Sequence, residues 1–302
     1  MSFHLGEGRS SPRHLSIPAS YWSHPIRHHD GSQRNLWFTE YDGDQIGRIT
    51  VGGAVTEFPI PTAFAAPTGI KTGPDGNIWF TEYSTDKIGR ITLSGTVSEF
   101  PIPAYAAEPY GITAGPDGNL WFTEAHGNQI GRISTSGDIT EFPVPTALSL
   151  PRGIASGSDG SLWFAEFEAN QIGRITTDGV VQEYPLPTVG AQPEGMTYGP
   201  DGNVWFTEFS ANQIGRITVH GNVKEFPAFS VRFNPEAITP GPDGYMWFVG
   251  INYDAVGSLT PHGTRSLPIP NSVVSYGITT GPDGNIWFTT SGLDRIIVVR
   301  LH

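Results

Sequence analysis

Residues Glu108 to Pro145 read EPYGITAGPDGNLWFTEAHGNQIGRISTSGDITEFPVP, and the rest of the chain is a set of variations on that stretch. Its Trp-Phe pair recurs with the tryptophans at Trp37, Trp79, Trp121, Trp163, Trp205, Trp247 and Trp287, spaced 42 residues apart five times and then 40. A period of this size, held over seven copies, marks a solenoid, propeller or array and is read before any local motif. With no linker between copies, all 302 residues are expected to form one repeat domain, 1–302.

Each copy carries four short strand signals bounded by turn residues, and no window has a helical period. In the second copy, strand A is expected from Pro67 to Gly73. Pro74-Asp75-Gly76-Asn77 then makes a tight turn, since Pro presets φ, Asp bonds nearby backbone and Gly supplies positive φ. Strand B follows as Ile78 to Glu82, strand C as Lys87 to Thr92, and Ser94-Gly95 turns into strand D, Val97 to Phe100. Pro101 and Pro103 lack backbone donors, which places strand D on an outer edge and strand A inside. Trp79 and Phe80 alternate faces, so each is expected to pack against a neighbouring blade. A buried Trp covers roughly 150 to 250 Å², on the order of 4 to 6 kcal/mol of apolar burial before entropy is subtracted. Sevenfold repetition favours this packing role over a ligand-stacking ladder. By the same logic, the repeated Glu of W-F-T-E (Glu40, Glu82, Glu124, Glu166, Glu208) and the repeated Arg of I-G-R (Arg48, Arg90, Arg132, Arg174, Arg216) read as cross-strand or inter-blade pairs.

The two ends of the chain explain how the array closes. After Trp287 only one more strand remains, Asp294 to His302, and no strand D follows it. Arg13-His14-Leu15-Ser16-Ile17-Pro18 matches the Ser98 to Pro103 segment of the second copy, so residues 13–18 are expected to complete the last blade and close the ring. The fold class is therefore all-β, with four-stranded blades. Two copies drift: the first, where Arg27-His28 replaces Gly-Ile, and the sixth, where Trp247-Phe248-Val249-Gly250 replaces W-F-T-E. Such drift is either relaxed packing or a grafted site.

Composition narrows the function classes. The 38 Gly and 26 Pro sit in register with 12% aromatics, which is turn-rich β structure and not disorder. A formal net charge of −12, with only three lysines, argues against a phosphate-backbone partner, so no nucleic acid is expected. No cysteine is present, which leaves no disulfide and no thiolate metal site. The first residues lack the apolar core of a signal peptide and no run approaches the length of a membrane helix. The expectation is a cytoplasmic monomer with no membrane partner.

The string P-x-G-I-x-x-G-P-D-G-N-[IL]-W-F-T-E, followed by I-G-R-I-T and E-[FY]-P-[ILV]-P, strongly resembles the virginiamycin B lyase (streptogramin B lyase) family, from about Leu15 to His302. The resemblance implies a seven-bladed β-propeller and a Mg²⁺-dependent carbon–oxygen lyase that opens a cyclic depsipeptide by elimination, a base removing an α-proton while the metal steadies the enolate-like charge. The family's residues do not carry over. Its base, a His in P-H-G of the last blade, falls on Tyr276, and its two metal-binding glutamates fall on Val274 and Ser291. Its helper His falls on Glu236, its first-blade Tyr on Ile26, and its sixth-blade indole on Ile251.

What replaces them is legible as a ring. The residue after the Pro that opens each strand A reads Ile26, Thr68, Tyr110, Arg152, Glu194, Glu236 and Tyr276 around the blades. A core position would repeat, but this one varies, which marks it as ligand-facing at the mouth of a central funnel. Two carboxylates about 4 Å apart repel by roughly 4 kcal/mol at an effective dielectric near 20. Glu194 and Glu236 therefore hold a cation such as Mg²⁺, lean on Arg152, or share a proton. One reading makes Glu194 or Glu236 a metal ligand or base and Arg152 an anion stabiliser. The other makes Arg152 and Glu194 a plain ion pair. Thr68, Tyr110, His126, Tyr276 and Ser291 are the accompanying ligand-binding candidates. His24, His28 and His29 cluster near Trp22, but strand alternation sends His28 and His29 to opposite faces. No phosphate loop, G-x-S-x-G elbow or H-E-x-x-H occurs. The function expected is a lyase-like propeller acting on or binding a small cyclic or ester-bearing molecule; the alternative is a non-catalytic binding or scaffold propeller.

Overall fold

The computed structural model describes residues 13–15, 25–29, 34–229, 232–252, 255–269, 275–290 and 295–301. Strand β1 is Arg13–Leu15, and blade 1 is β2 (Pro25–His29), β3 (Arg34–Glu40), β4 (Gln45–Thr50) and β5 (Val55–Pro59). Blade 2 is β6 (Pro67–Thr72), β7 (Ile78–Glu82), β8 (Lys87–Ile91) and β9 (Val97–Pro101). Blade 3 follows as β10 (Pro109–Ala114), β11 (Leu120–Glu124), β12 (Gln129–Ile133) and β13 (Ile139–Pro143), and blade 4 as β14 (Pro151–Ser156), β15 (Leu162–Glu166), β16 (Gln171–Ile175) and β17 (Val181–Pro185). Blade 5 is β18 (Pro193–Tyr198), β19 (Val204–Glu208), β20 (Gln213–Ile217) and β21 (Val223–Pro227), and blade 6 is β22 (Pro235–Pro240), β23 (Met246–Gly250), β24 (Ala255–Thr260) and β25 (Gly263–Pro268). The last three strands are β26 (Ser275–Thr280), β27 (Ile286–Thr290) and β28 (Arg295–Val299).

These strands make seven antiparallel sheets of four. In six the order follows the chain; in the seventh it is β1-β28-β27-β26. Arg13 pairs with Val298 and Leu15 with Ile296, so the N-terminal strand completes the last blade as the sequence predicts. The rest of the expected closing segment, Ser16 to Pro18, lies outside the described residues.

The core lies between blades. Trp37 of blade 1 packs with Ile78, Phe80 and Ile91 of blade 2, and Trp287 of blade 7 packs with Leu36 and Phe38 of blade 1, which shuts the circle. One side chain of each pair faces forward and the other backward, so adjacent W-F pairs share a layer. Phe80 also dictates its cross-strand partner. Gly89 sits opposite it, and a Cβ at Gly89 would lie 2.1 Å from the ring.

The repeated Arg and Glu have separate fates. Arg90 lies 5.4 Å from the ring centres of both Trp79 and Phe100 and donates to the Thr135 carbonyl of the next blade at 3.0 Å. Arg48 and Arg132 do the same to Leu93 and Thr177. The expected inter-blade role holds for these three, with a carbonyl as partner, whereas Arg174 and Arg216 pair within their own blades with Asp159 at 2.7 Å and Asp201 at 3.2 Å. Glu82, Glu124, Glu166 and Glu208 instead end fully buried. Burial first, and then the strand D glutamate of the same blade (Glu99, Glu141, Glu183 or Glu225), pushes each carboxyl up to about 8. These are neutral acids in the folded protein at neutral pH.

Blade 6 owes its drift to repacking. Phe229 packs at a tilt and Phe233 edge-on against Phe248, with ring centres 5.6 and 5.5 Å away. Gly250 leaves room for Phe233, whose ring and carbonyl a Cβ there would meet at 2.6 and 2.5 Å.

Candidate functional site

A β-bulge opens strand A in blades 2 to 7. In blade 3, Pro109 pairs with Glu124 but Ile112 with Phe122, so Tyr110 and Gly111 together face Thr123 alone. Bulges re-aim side chains next to functional sites, and this one is fastened by the Thr of W-F-T-E. Thr123 Oγ1 accepts from the Gly111 amide at 2.9 Å and donates to the Arg152 carbonyl of the next blade at 2.6 Å. Thr81 and Thr207 repeat the device. Gly111 is needed because a Cβ there would stand 2.5 Å from that same carbonyl. In blades 2, 3 and 5 the bulge residue is therefore held at the axis by the same seam, whatever its side chain.

Around the axis runs a channel of about 220 Å³, lined by these glycines with Tyr110, Glu194, Glu236 and Tyr276 among its side chains. Arg152 donates to Glu194 Oε2 at 2.5 Å. Tyr110 is the other group hydrogen-bonded to Glu194, and burial followed by the nearby carboxylates pushes its hydroxyl well above the usual phenol range. Burial, and then the Glu194 charge, raises Glu236 well above the ordinary carboxyl value, with Arg152 opposing. Burial lifts Glu194 as well, against Arg152. The arrangement is a close Arg152–Glu194 contact with Glu236 as the carboxyl pushed further toward its protonated form by burial and the Glu194 charge.

Thr68, fully inside the wall, spends its hydroxyl on Thr81 Oγ1 at 2.8 Å and on the Pro109 and Tyr110 carbonyls at 3.3 Å. His126 stands on the rim, with Nδ1 2.8 Å from Glu108 Oε2. Ser291, Val274, His24 and Trp22 lie outside the described residues, and Ile26, His28 and His29 are placed only as backbone in β2. The channel also holds Lys71, a residue that sequence reasoning passed over. Its side chain is solvent-exposed. Its signal was a lysine where other blades carry Thr113, Ala155, Thr197, Thr239 and Thr279.

Among the described residues no group of three or more His, Asp or Glu side chains converges as a metal would require. Mg²⁺ keeps most of its ligands as water and is held by one or two carboxylates; here Glu194 is already paired to the Arg152 guanidinium, which competes with a cation for it.

The fold and its axial site define a closed seven-bladed β-propeller with a polar funnel. The sequence profile described as the Virginiamycin B lyase family matches residues 16–235 and again 191–301, and the chain belongs to that family. The structure is similar to a catalytically inactive histidine-to-alanine virginiamycin B lyase from Staphylococcus aureus crystallised with quinupristin, at 36% identity and a TM-score of 0.90, covering 97% of this chain and 99% of that one. It is similar to a streptogramin B lyase at 36% identity, with 97% of both chains covered and a TM-score of 0.88. Hydrazine synthase of Kuenenia stuttgartiensis, 15% identical over 99% of both chains with a TM-score of 0.77, shares the fold. No curated protein sequence matches the chain.

Proposed function

We propose that this propeller binds a small cyclic or ester-bearing molecule in its funnel, and that it does not run the metal-dependent elimination of the family. One observation carries the reading: the blade repeat is largely regular, while the bulge position that faces the channel varies, holding Tyr110, Glu194, Glu236 and Tyr276, with Arg152 paired to Glu194. The residues that would make the enolate are substituted, since Tyr276 stands where the family's base is expected. A tyrosine hydroxyl is a poor base near neutral pH, and a missing general base typically costs about 10²- to 10⁴-fold. The groups present suit recognition: Arg152 offers donors, Glu236 a carboxyl that burial pushes toward its protonated form, and Tyr110 and Tyr276 flat apolar faces. The protein works as a monomer, without nucleic acid or membrane.

The test uses quinupristin as probe, with Mg²⁺ present. Eliminative opening leaves the mass unchanged, so the ring is followed by chromatographic retention, and binding is followed by calorimetry. The expected result is a cyclic depsipeptide that stays closed, with binding weakened about tenfold or more in Glu236→Gln and Tyr276→Ala. Ring opening that stops on chelation overturns the proposal in favour of the family reaction. Absence of binding overturns it in favour of the scaffold reading, which the self-satisfied Arg152–Glu194 pair favours.

A further inference from the structure

The position after W-F-T-E is aromatic in most blades, as Tyr41, Tyr83, Phe167 and Phe209, but in blade 3 it is Ala125. The ring missing there leaves a cavity of about 350 Å³ on the funnel rim, bounded by Tyr41, Tyr83, Tyr110, His126, Leu150 and Arg152. That volume falls within the range of small-molecule sites. Beside it, Glu108 Oε2 accepts from the Tyr83 hydroxyl at 2.5 Å and pairs with His126 Nδ1 at 2.8 Å. Asp86 fixes the Glu108 backbone by accepting its amide at 2.9 Å, and Glu108 keeps a left-handed φ of 47° in doing so. Burial, followed by the bond to Glu108, raises Tyr83, so it stays a hydroxyl donor.

We infer that this rim cavity is a second, metal-independent site, where His126 serves as general base in hydrolysing a small aryl ester or lactone. A carboxylate on Nδ1 sets the imidazole tautomer and steadies the imidazolium, which leaves Nε2 as the acceptor. The His126 side chain is 63% exposed, so solvent supplies the water. Nε2 takes a proton from that water as its oxygen bonds to the ester carbonyl carbon. The tetrahedral oxyanion forms beside the Arg152 guanidinium, which borders the cavity and is held 3.6 Å over the Phe167 ring. The carbon–oxygen bond to the leaving phenol then breaks, and the phenolate takes the proton from His126. The net change is lactone plus water to hydroxy acid. Three tyrosines in the wall select an aryl group. The inference does not depend on the channel holding a ligand, although Tyr110 and Arg152 border both spaces.

The experiment is steady-state hydrolysis of the aryl lactone dihydrocoumarin by the full chain. Saturable turnover is expected, with kcat/KM reduced at least a hundredfold in His126→Ala. Glu108→Gln should lower kcat about tenfold or more with KM held. Ala125→Phe, which copies neighbouring blades, should raise KM or abolish turnover with the dyad intact. His220→Ala, an exposed histidine on a distant turn, controls for catalysis by any surface imidazole and should leave the rate unchanged. Wild-type protein without saturable turnover, or His126→Ala or Glu108→Gln at the wild-type rate, overturns the inference. Failure of quinupristin binding in the channel leaves these rates untouched, so the two readings fail separately.

Discussion

Arg152 crosses the seam from blade 4 to donate to Glu194 of blade 5 at 2.5 Å, and the Glu194 side chain is only 3% exposed. Desolvating two charges is costly, and removing one partner leaves the other buried without compensation. Arg152→Ala should therefore destabilise the protein by about 2 to 4 kcal/mol in urea unfolding, below the largest buried-pair values because Arg152 keeps some water. The pair change Arg152→Met with Glu194→Leu should recover most of that loss. Equal stability of Arg152→Ala and wild type would mean that the pair is solvated and not structural.

Gly89 and Phe80 make a second coupled pair. A methyl at Gly89 would enter the Phe80 ring, and that ring is fully buried between blades. Gly89→Ala should cost about 2 to 3 kcal/mol by overpacking, read as a lower melting temperature. Shrinking the ring with Phe80→Leu in the same chain should return part of it, since residues in contact are not additive.

The turn aspartates do more than turn the chain. Asp117 accepts the Trp121 indole N–H at 3.0 Å and the Asn119 side-chain amide at 2.8 Å. Asp117→Ala leaves a buried N–H without its acceptor and should cost about 1 to 3 kcal/mol. The control is Asp138→Ala, on an exposed turn, which should change stability little. Unfolding midpoints of the two variants decide the matter.

The propeller was legible because each repeated residue meets the same surroundings seven times, so Trp79 beside Phe80 already fixes two faces and two neighbours. The ring at Tyr110, Arg152 and Glu194 was legible for the opposite reason, as variation in one phase of an otherwise constant repeat. The Asp117 to Trp121 bond was not, because the four-residue offset inside P-D-G-N-x-W reads as turn chemistry alone. The glutamates of W-F-T-E do meet cross-strand partners, as Glu166 meets Gln171, but sequence shows a charge and its repetition and not the burial that raises each carboxyl. The rim cavity depends on an absent ring at Ala125, and Glu108 matters only through Tyr83 and His126, which come from other loops. The gap in the repeat at Ala125 was there to be read in the sequence, but spacing gives no sign of the Glu108 contacts.

Those buried glutamates set the pH dependence of stability. Glu82, Glu124, Glu166 and Glu208 rise from the usual 4.5 to about 8 in the folded chain. Between these values the folded state holds protons that the unfolded chain has released, so stability falls as pH rises. Their contribution is complete below pH 4.5 and lost above pH 8. The turn aspartates act at the other end. Burial would raise Asp75, but the hydrogen bonds from Trp79 and Asn77 outweigh it and hold the carboxyl below 3.8, with Asp117, Asp159 and Asp201 alike. Their stabilisation is present above pH 3.8 and fades on acidification below it. The melting temperature should therefore be higher near about pH 5.5 than near about pH 8.5. Replacing all four by Gln, which copies the neutral acid, should flatten the alkaline limb while leaving the protein folded at about pH 5.5. A melting temperature that rises from about pH 5.5 to about pH 8.5 in the wild type would show that these carboxyls are ionised in the fold.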